Sequence, residues 1–250
     1  MYHLKPKLLP FLGLGLGGLG LVLCSWLYGA GYDETGLLRR DHIAYYFLWV
    51  TVVTVPAVLF WQTRQLPGKM RCSSCFPASV PGAVGCWAAA AGLLMTAFTD
   101  LMFRPDGLTV VSGVLGLLCF PALLLAGWSR LKGRRVSFVL HLAVCLHLTL
   151  RLLCQYRQWS GDPQLTDYCF RLLAGMSLML FAYHRAAFDV NMGHYRAYVF
   201  TGLCALFFCC LSVPTGGQKL FFVTMGAWAA TNLGAFPRRR EREEKTDVPA

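Results

Sequence analysis

Six stretches of this chain contain no lysine, arginine, aspartate or glutamate: 8–32, 42–63, 76–99, 107–129, 197–218 and 220–237. A hydrocarbon layer of roughly 30 Å takes about 20 helical residues to cross, and only helices or closed barrels satisfy their own backbone polar groups inside it. Charge-free runs of this length therefore dictate an all-α fold, a polytopic transmembrane helical bundle. The segment 136–188 is also apolar but carries Arg151, Arg171 and Arg185, and the turn residues Ser160, Gly161, Asp162 and Pro163 divide it into two further helices. The expectation is eight spans at about 8–30, 42–63, 77–99, 107–128, 136–156, 167–188, 195–213 and 218–237, forming one membrane-embedded domain over 1–237. The remainder, 238–250, reads as a disordered charged cytoplasmic tail whose arginines lie against anionic headgroups.

Orientation follows from the basic residues, because cytoplasmic loops retain Lys and Arg. Sixteen fall on one side: Lys5 and Lys7; Arg64, Lys69 and Arg71; Arg130, Lys132, Arg134 and Arg135; Arg185 and Arg196; and five in the tail. Five fall on the other: Arg39, Arg40, Arg104, Arg157 and Lys219. Both termini are thus expected in the cytoplasm, with the chain a multi-pass integral protein of the cell membrane. The net charge of +11 is then mainly a topology signal, and nucleic acid is not an expected partner, since no soluble domain presents the basic residues. The first apolar run exceeds the core of a cleaved signal peptide and reads as a retained helix.

Gly13, Gly17, Gly20 and Cys24 share one face of that helix, a spacing that points to close helix packing rather than to a phosphate-cradling loop, which needs a preceding strand. Nine of the eleven cysteines lie in or at the ends of spans, where they behave as small apolar residues. Cys72 and Cys75 form a Cys-x-x-Cys in the second loop, but the same loop offers no further cysteine or histidine to complete a zinc site. They read as incidental, with redox or metal chemistry as the alternative; no metal and no cofactor is expected. Pro56 and Pro121 sit inside the second and fourth spans, and a hydroxyl such as that of Thr54 is a candidate to take up a freed carbonyl.

Polar chemistry concentrates in the fifth and sixth spans, where ionisable groups are costly and so mark candidate sites. At 1.5 Å per residue His147 lies about 16 Å from the start of its helix, near the midplane, and Arg151 about 22 Å along, on the same face. Arg171 on the returning helix reaches a similar depth, so two guanidinium groups are expected to flank one outer vestibule. Tyr156, Trp159 and Asp167 lie at the same membrane surface. The functional reading is a site for an anionic small molecule or lipid headgroup, built on Arg151, Arg171, His147, Tyr156, Trp159 and Asp167. The structural reading pairs Asp167 with Arg171, lets Arg151 snorkel outward, places the aromatics in the interfacial belt and gives His147 a hydrogen bond to a neighbouring helix. At the cytoplasmic end, His184, Arg185, Asp189 and His194 form a second candidate cluster, with Arg185 and Asp189 spaced for a pair along the helix.

The chain contains no HExxH, GxSxG or Walker-type motif, and every Asp and Glu falls at or beyond an expected membrane boundary. Enzymatic activity and ion-coupled transport are therefore not expected. The sequence supports a non-enzymatic sensing, accessory or interaction protein whose partners are the lipid bilayer and other membrane proteins. The alternative is a passive permease or binding protein for a small anionic solute or lipid, using the outer arginines.

Overall fold

The structure, a computed structural model, describes residues 9–30, 42–66, 68, 76, 78–103, 106–159 and 165–234. These form eight helices: α1 (Leu9–Ala30), α2 (Ile43–Thr63), α3 (Val80–Phe103), α4 (Gly107–Leu131), α5 (Phe138–Trp159), α6 (Leu165–Asp189), α7 (Tyr195–Ser212) and α8 (Lys219–Gly234). Six of them, α1 to α5 and α7, are long and apolar enough to cross a bilayer. Each of the other two falls short in its own way: α6 is 25 residues long but carries charged side chains at both ends, and α8 is only 16 residues long. The charged tail and the Cys72–Cys75 loop lie outside the described residues.

Successive helices run in opposite directions. Gly127 of α4 abuts Trp87 of α3 while Gly113 abuts Leu101, and Gly116 meets His147 of α5 while Gln158 reaches Thr109. Cys145 of α5 contacts Met179 of α6, whose Phe170 carbonyl accepts a hydrogen bond from Ser212 at the far end of α7. The start of α1 and the end of α8 therefore share one face. It also holds Arg64, Arg130, Lys132, Arg134, Arg135, Arg185 and Arg196 and is here named the basic face.

Helices α3 to α8 close a ring in chain order, with α8 packing back onto α3, while α1 and α2 lie outside it against α7. α7 is consequently shielded on almost every side: 78% of its span is buried, against 28% for α1 and for α2. An apolar helix with no polar face belongs in such an inner position. The exposed sides of α1 and α2 carry Phe11, Val22, Val50, Val53 and Trp61, a surface suited to lipid.

The expected small-residue seam on α1 is present, and its partner is α7. A methyl group added at Gly13 would lie 2.8 Å from Leu203, and one at Gly17 would lie 2.9 Å from Cys210; Gly20 faces Leu211 more tightly still. The Cys24 thiol completes the row by donating to the Leu211 carbonyl at 3.3 Å. Without a hydrophobic driving force between helices in lipid, close backbone approach of this kind is what holds α1 to the ring. α2 and α4 run through Pro56 and Pro121 as continuous helices. Thr54 does not compensate Pro56; its hydroxyl donates to the Val50 carbonyl at 2.7 Å instead.

Candidate functional site

Two polar layers lie inside the ring, one near each face, with an aromatic layer between them. In the layer away from the basic face, Arg151 is 4% exposed and points into the bundle rather than snorkelling outward. Its Nη1 donates to Asp100 Oδ2 at 2.9 Å and its Nη2 to Gln218 Oε1, while the guanidinium lies 4.6 Å from the Phe221 ring centre. Gln155 Nε2 also donates to Gln218 Oε1, at 3.3 Å. The sequence reading placed Asp100 just beyond the third span. α3 continues to Phe103, so the carboxylate lies within the helix and turns inward with a side chain only 13% exposed.

Arg171 holds the connection between α7 and α8. Its Nε donates to Thr215 Oγ1 at 3.0 Å, its Nη2 to the Thr215 carbonyl, and it lies 5.8 Å from the Tyr168 ring centre. Gly216 and Gly217 follow with φ of +83° and +69°, left-handed conformations that a side chain would strain. A Cβ at Gly217 would also approach Arg171 Nη1 to 3.2 Å, so glycine lets the guanidinium lie against the backbone here.

Both arginines line one open cavity of about 390 Å³, together with Thr99, Asp100, Phe103, Thr109, Ser112, Cys154, Gln155, Gln158, Tyr168, Gly217 and Gln218. The shared vestibule expected from helix depth is thus present. Tyr156 does not contribute; it is 59% exposed on the outside of the bundle. The side chains of Trp159 and Asp167, and with them the proposed pairing of Asp167 with Arg171, lie outside the described residues. His147 sits one turn deeper than Arg151, fully buried against Gly116. Its ring lies against the Ser112 backbone of α4, the neighbouring helix, although neither ring nitrogen makes a hydrogen bond of full geometry among the described residues.

At the basic face the candidate cluster divides. Arg185 and Asp189 pair as their spacing predicts, at 3.0 Å, but inside the ring, with side chains 6% and 1% exposed. His141 Nδ1 of α5 approaches the other carboxylate oxygen at 2.8 Å. Phe76 lies between two guanidinium groups, 3.7 Å from Arg185 and 4.6 Å from Arg130 of α4. This layer ties three helices together, where the sequence indicated a pair along one helix. His184 and His194 stay outside it, half-buried and exposed respectively. His141 was missed, although it lies on the same face of α5 as Val144, Leu148, Arg151 and Gln155.

Between the layers Phe181 stacks on Tyr198 at 4.8 Å and meets Trp228 edge-on at 5.0 Å, all three almost fully buried. Among the described residues no group of three or more His, Cys, Asp or Glu is placed to hold a metal ion. No protein family, curated protein or solved structure matches this chain, so the chemistry of the two layers is what bears on function.

Proposed function

We propose that this chain is a non-enzymatic protein of the cell membrane, its basic face toward the cytoplasm, that senses a small anionic solute through the cavity on the opposite face. The observation that carries this reading is that the two arginines lining the cavity hold the same short turn. Arg171 grips Thr215 and Arg151 grips Gln218, so the segment 213–218 is fastened to the cavity wall at two points. A carboxylate or phosphate entering the cavity competes for these donors, because guanidinium forks bind such groups in bidentate geometry. Binding exchanges contacts with the turn for contacts with the solute.

α8 begins immediately after that turn and ends near the basic-face layer, where Asn232 lies beside Cys86 of α3. A helix biased at one end by a ligand and packed at the other against a buried charge cluster gives a sensor its two coupled faces. The packed layer of Phe181, Tyr198 and Trp228 between the two ends favours sensing over a permease, which needs a path through the ring.

The test uses the purified protein in detergent, with thermal unfolding followed in acetate, inorganic phosphate and a short-chain anionic phospholipid. Hydrogen exchange is measured at 213–218 in parallel. A stabilising solute is expected to alter exchange in the turn, and Arg171→Gln to abolish both effects. Stabilisation that leaves exchange in the turn unchanged removes the sensing reading; stabilisation by the phospholipid alone moves the ligand from solution to the bilayer.

A further inference from the structure

Three consecutive helices bring polar side chains to one level of the cavity. Gly116 of α4 meets Ala97 of α3 and His147 of α5, and Gly113 meets Leu101 of α3, which fixes the three helices against one another. One turn farther from the basic face they carry Ser112, Asp100 and Arg151, all of which line the cavity. Asp100 Oδ2 accepts from Arg151 at 2.9 Å. Asp100 Oδ1 makes no hydrogen bond among the described residues, and neither does the Ser112 hydroxyl, although Ser112 is only 1% exposed. We infer that this corner is a subsite for a hydroxyl group, and that the solute is a small hydroxy-carboxylate. This rests on the reading of the cavity as an anion site and names the second group that the anion carries.

Buried hydroxyls are ordinarily hydrogen-bonded. The wall around Ser112 offers no partner among the described residues, so the group that completes it comes from the cavity side. A ligand hydroxyl serves both free atoms, accepting from Ser112 and donating to Asp100 Oδ1. A second carboxylate at this corner would instead lie beside Asp100, and like charges in a partly enclosed, low-dielectric space oppose binding. A bare hydrocarbon end would cover Ser112 and Asp100 Oδ1 without bonding either, which weakens binding. Elsewhere in the wall Gln158 donates to Thr109 and Gln155 donates to Gln218, so these amides are already engaged with the protein. Ser112 and Asp100 are therefore the pair that discriminates one anion from another. The cavity of about 390 Å³ has room for a chain of a few carbons bearing both groups.

The experiment measures affinity for the full-length chain in detergent by titration calorimetry. Glycolate, 3-hydroxypropionate and 4-hydroxybutyrate are compared with acetate, propionate and butyrate, and malonamate serves as the carboxamide counterpart. One hydroxy acid is expected to bind at least about tenfold more tightly than its plain partner, the effect of one hydrogen bond to a charged group. In Ser112→Ala that preference is expected to fall severalfold, while the unliganded thermal midpoint stays unchanged because the hydroxyl has no bond in the wall to lose. Should Ser112→Ala fail to fold, the wild-type pairs alone decide. Equal affinity within every pair, or a preference that Ser112→Ala leaves intact, overturns the hydroxyl subsite and leaves the anion site standing. Tighter binding of malonamate than of every hydroxy acid also overturns it, in favour of a carboxamide. Failure of all the carboxylates while inorganic phosphate still stabilises the protein overturns the hydroxy acid alone; failure of phosphate as well overturns both readings.

Discussion

At the scale of single residues, the glycines of α1 show how a small change in size separates a packing face from a lipid face. Gly17 and Gly20 press against Cys210 and Leu211, whereas Gly15 and Gly18 have nothing within 4 Å of where a side chain would begin. Gly17→Leu or Gly20→Leu is expected to cost about 1–3 kcal/mol through overpacking. Gly15→Leu and Gly18→Leu are expected to be neutral, and thermal unfolding in detergent compares the four. Equal losses at all four positions would show that helix flexibility, not the seam with α7, governs α1. The periodicity of these glycines was legible in the sequence because it is a property of one helix. Asp100 was less legible, although it continues the buried row Cys86, Ala90, Leu93 and Ala97. Its charge places it at the end of a clean stretch, and only Arg151 on another helix explains why it turns inward.

At the scale of elements, the basic-face layer joins α4, α5 and α6 through Arg130, His141, Arg185 and Asp189. Asp189→Asn leaves Arg185 buried without its carboxylate and is expected to destabilise the bundle by about 3 kcal/mol, the cost of stranding one member of a buried ion pair. Arg185→Gln added to it is expected to recover a large part of the loss, because no stranded charge then remains from that pair. A double variant no more stable than Asp189→Asn would mean that the carboxylate serves His141 instead. The spacing of Arg185 and Asp189 revealed half of this arrangement. The other half, His141 and the two guanidinium groups around Phe76, comes from α4, α5 and a residue preceding α3, and nothing local in those segments announces it. The candidate histidines His184 and His194 are close to the pair along the chain, yet successive helical residues point about 100° apart and His194 precedes α7, so both remain outside the layer.

For the whole molecule, alternating helix direction brings the start of α1 and the end of α8 to one face, where the basic residues also collect. A reporter that fluoresces only in the cytoplasm, fused after Ala250, is expected to glow, and one inserted at 161–164 to stay dark. A full-length, stable fusion with the reverse pattern would invert the protein and place the cavity in the cytoplasm. The ring of α3 to α8, with α1 and α2 applied to α7, could not be read from helix order, since eight alternating helices are compatible with many arrangements. The helical class, the succession of apolar helices and their alternation were legible in the chain alone, because bilayer thickness and charge exclusion act on each segment separately. That α8 closes back onto α3, that Asp100 meets Arg151, and that both arginines hold one turn beside one cavity emerges only from the packing of the helices. Those outcomes depend on side chains far apart in the chain meeting in a single packing, and no local pattern encodes such a meeting.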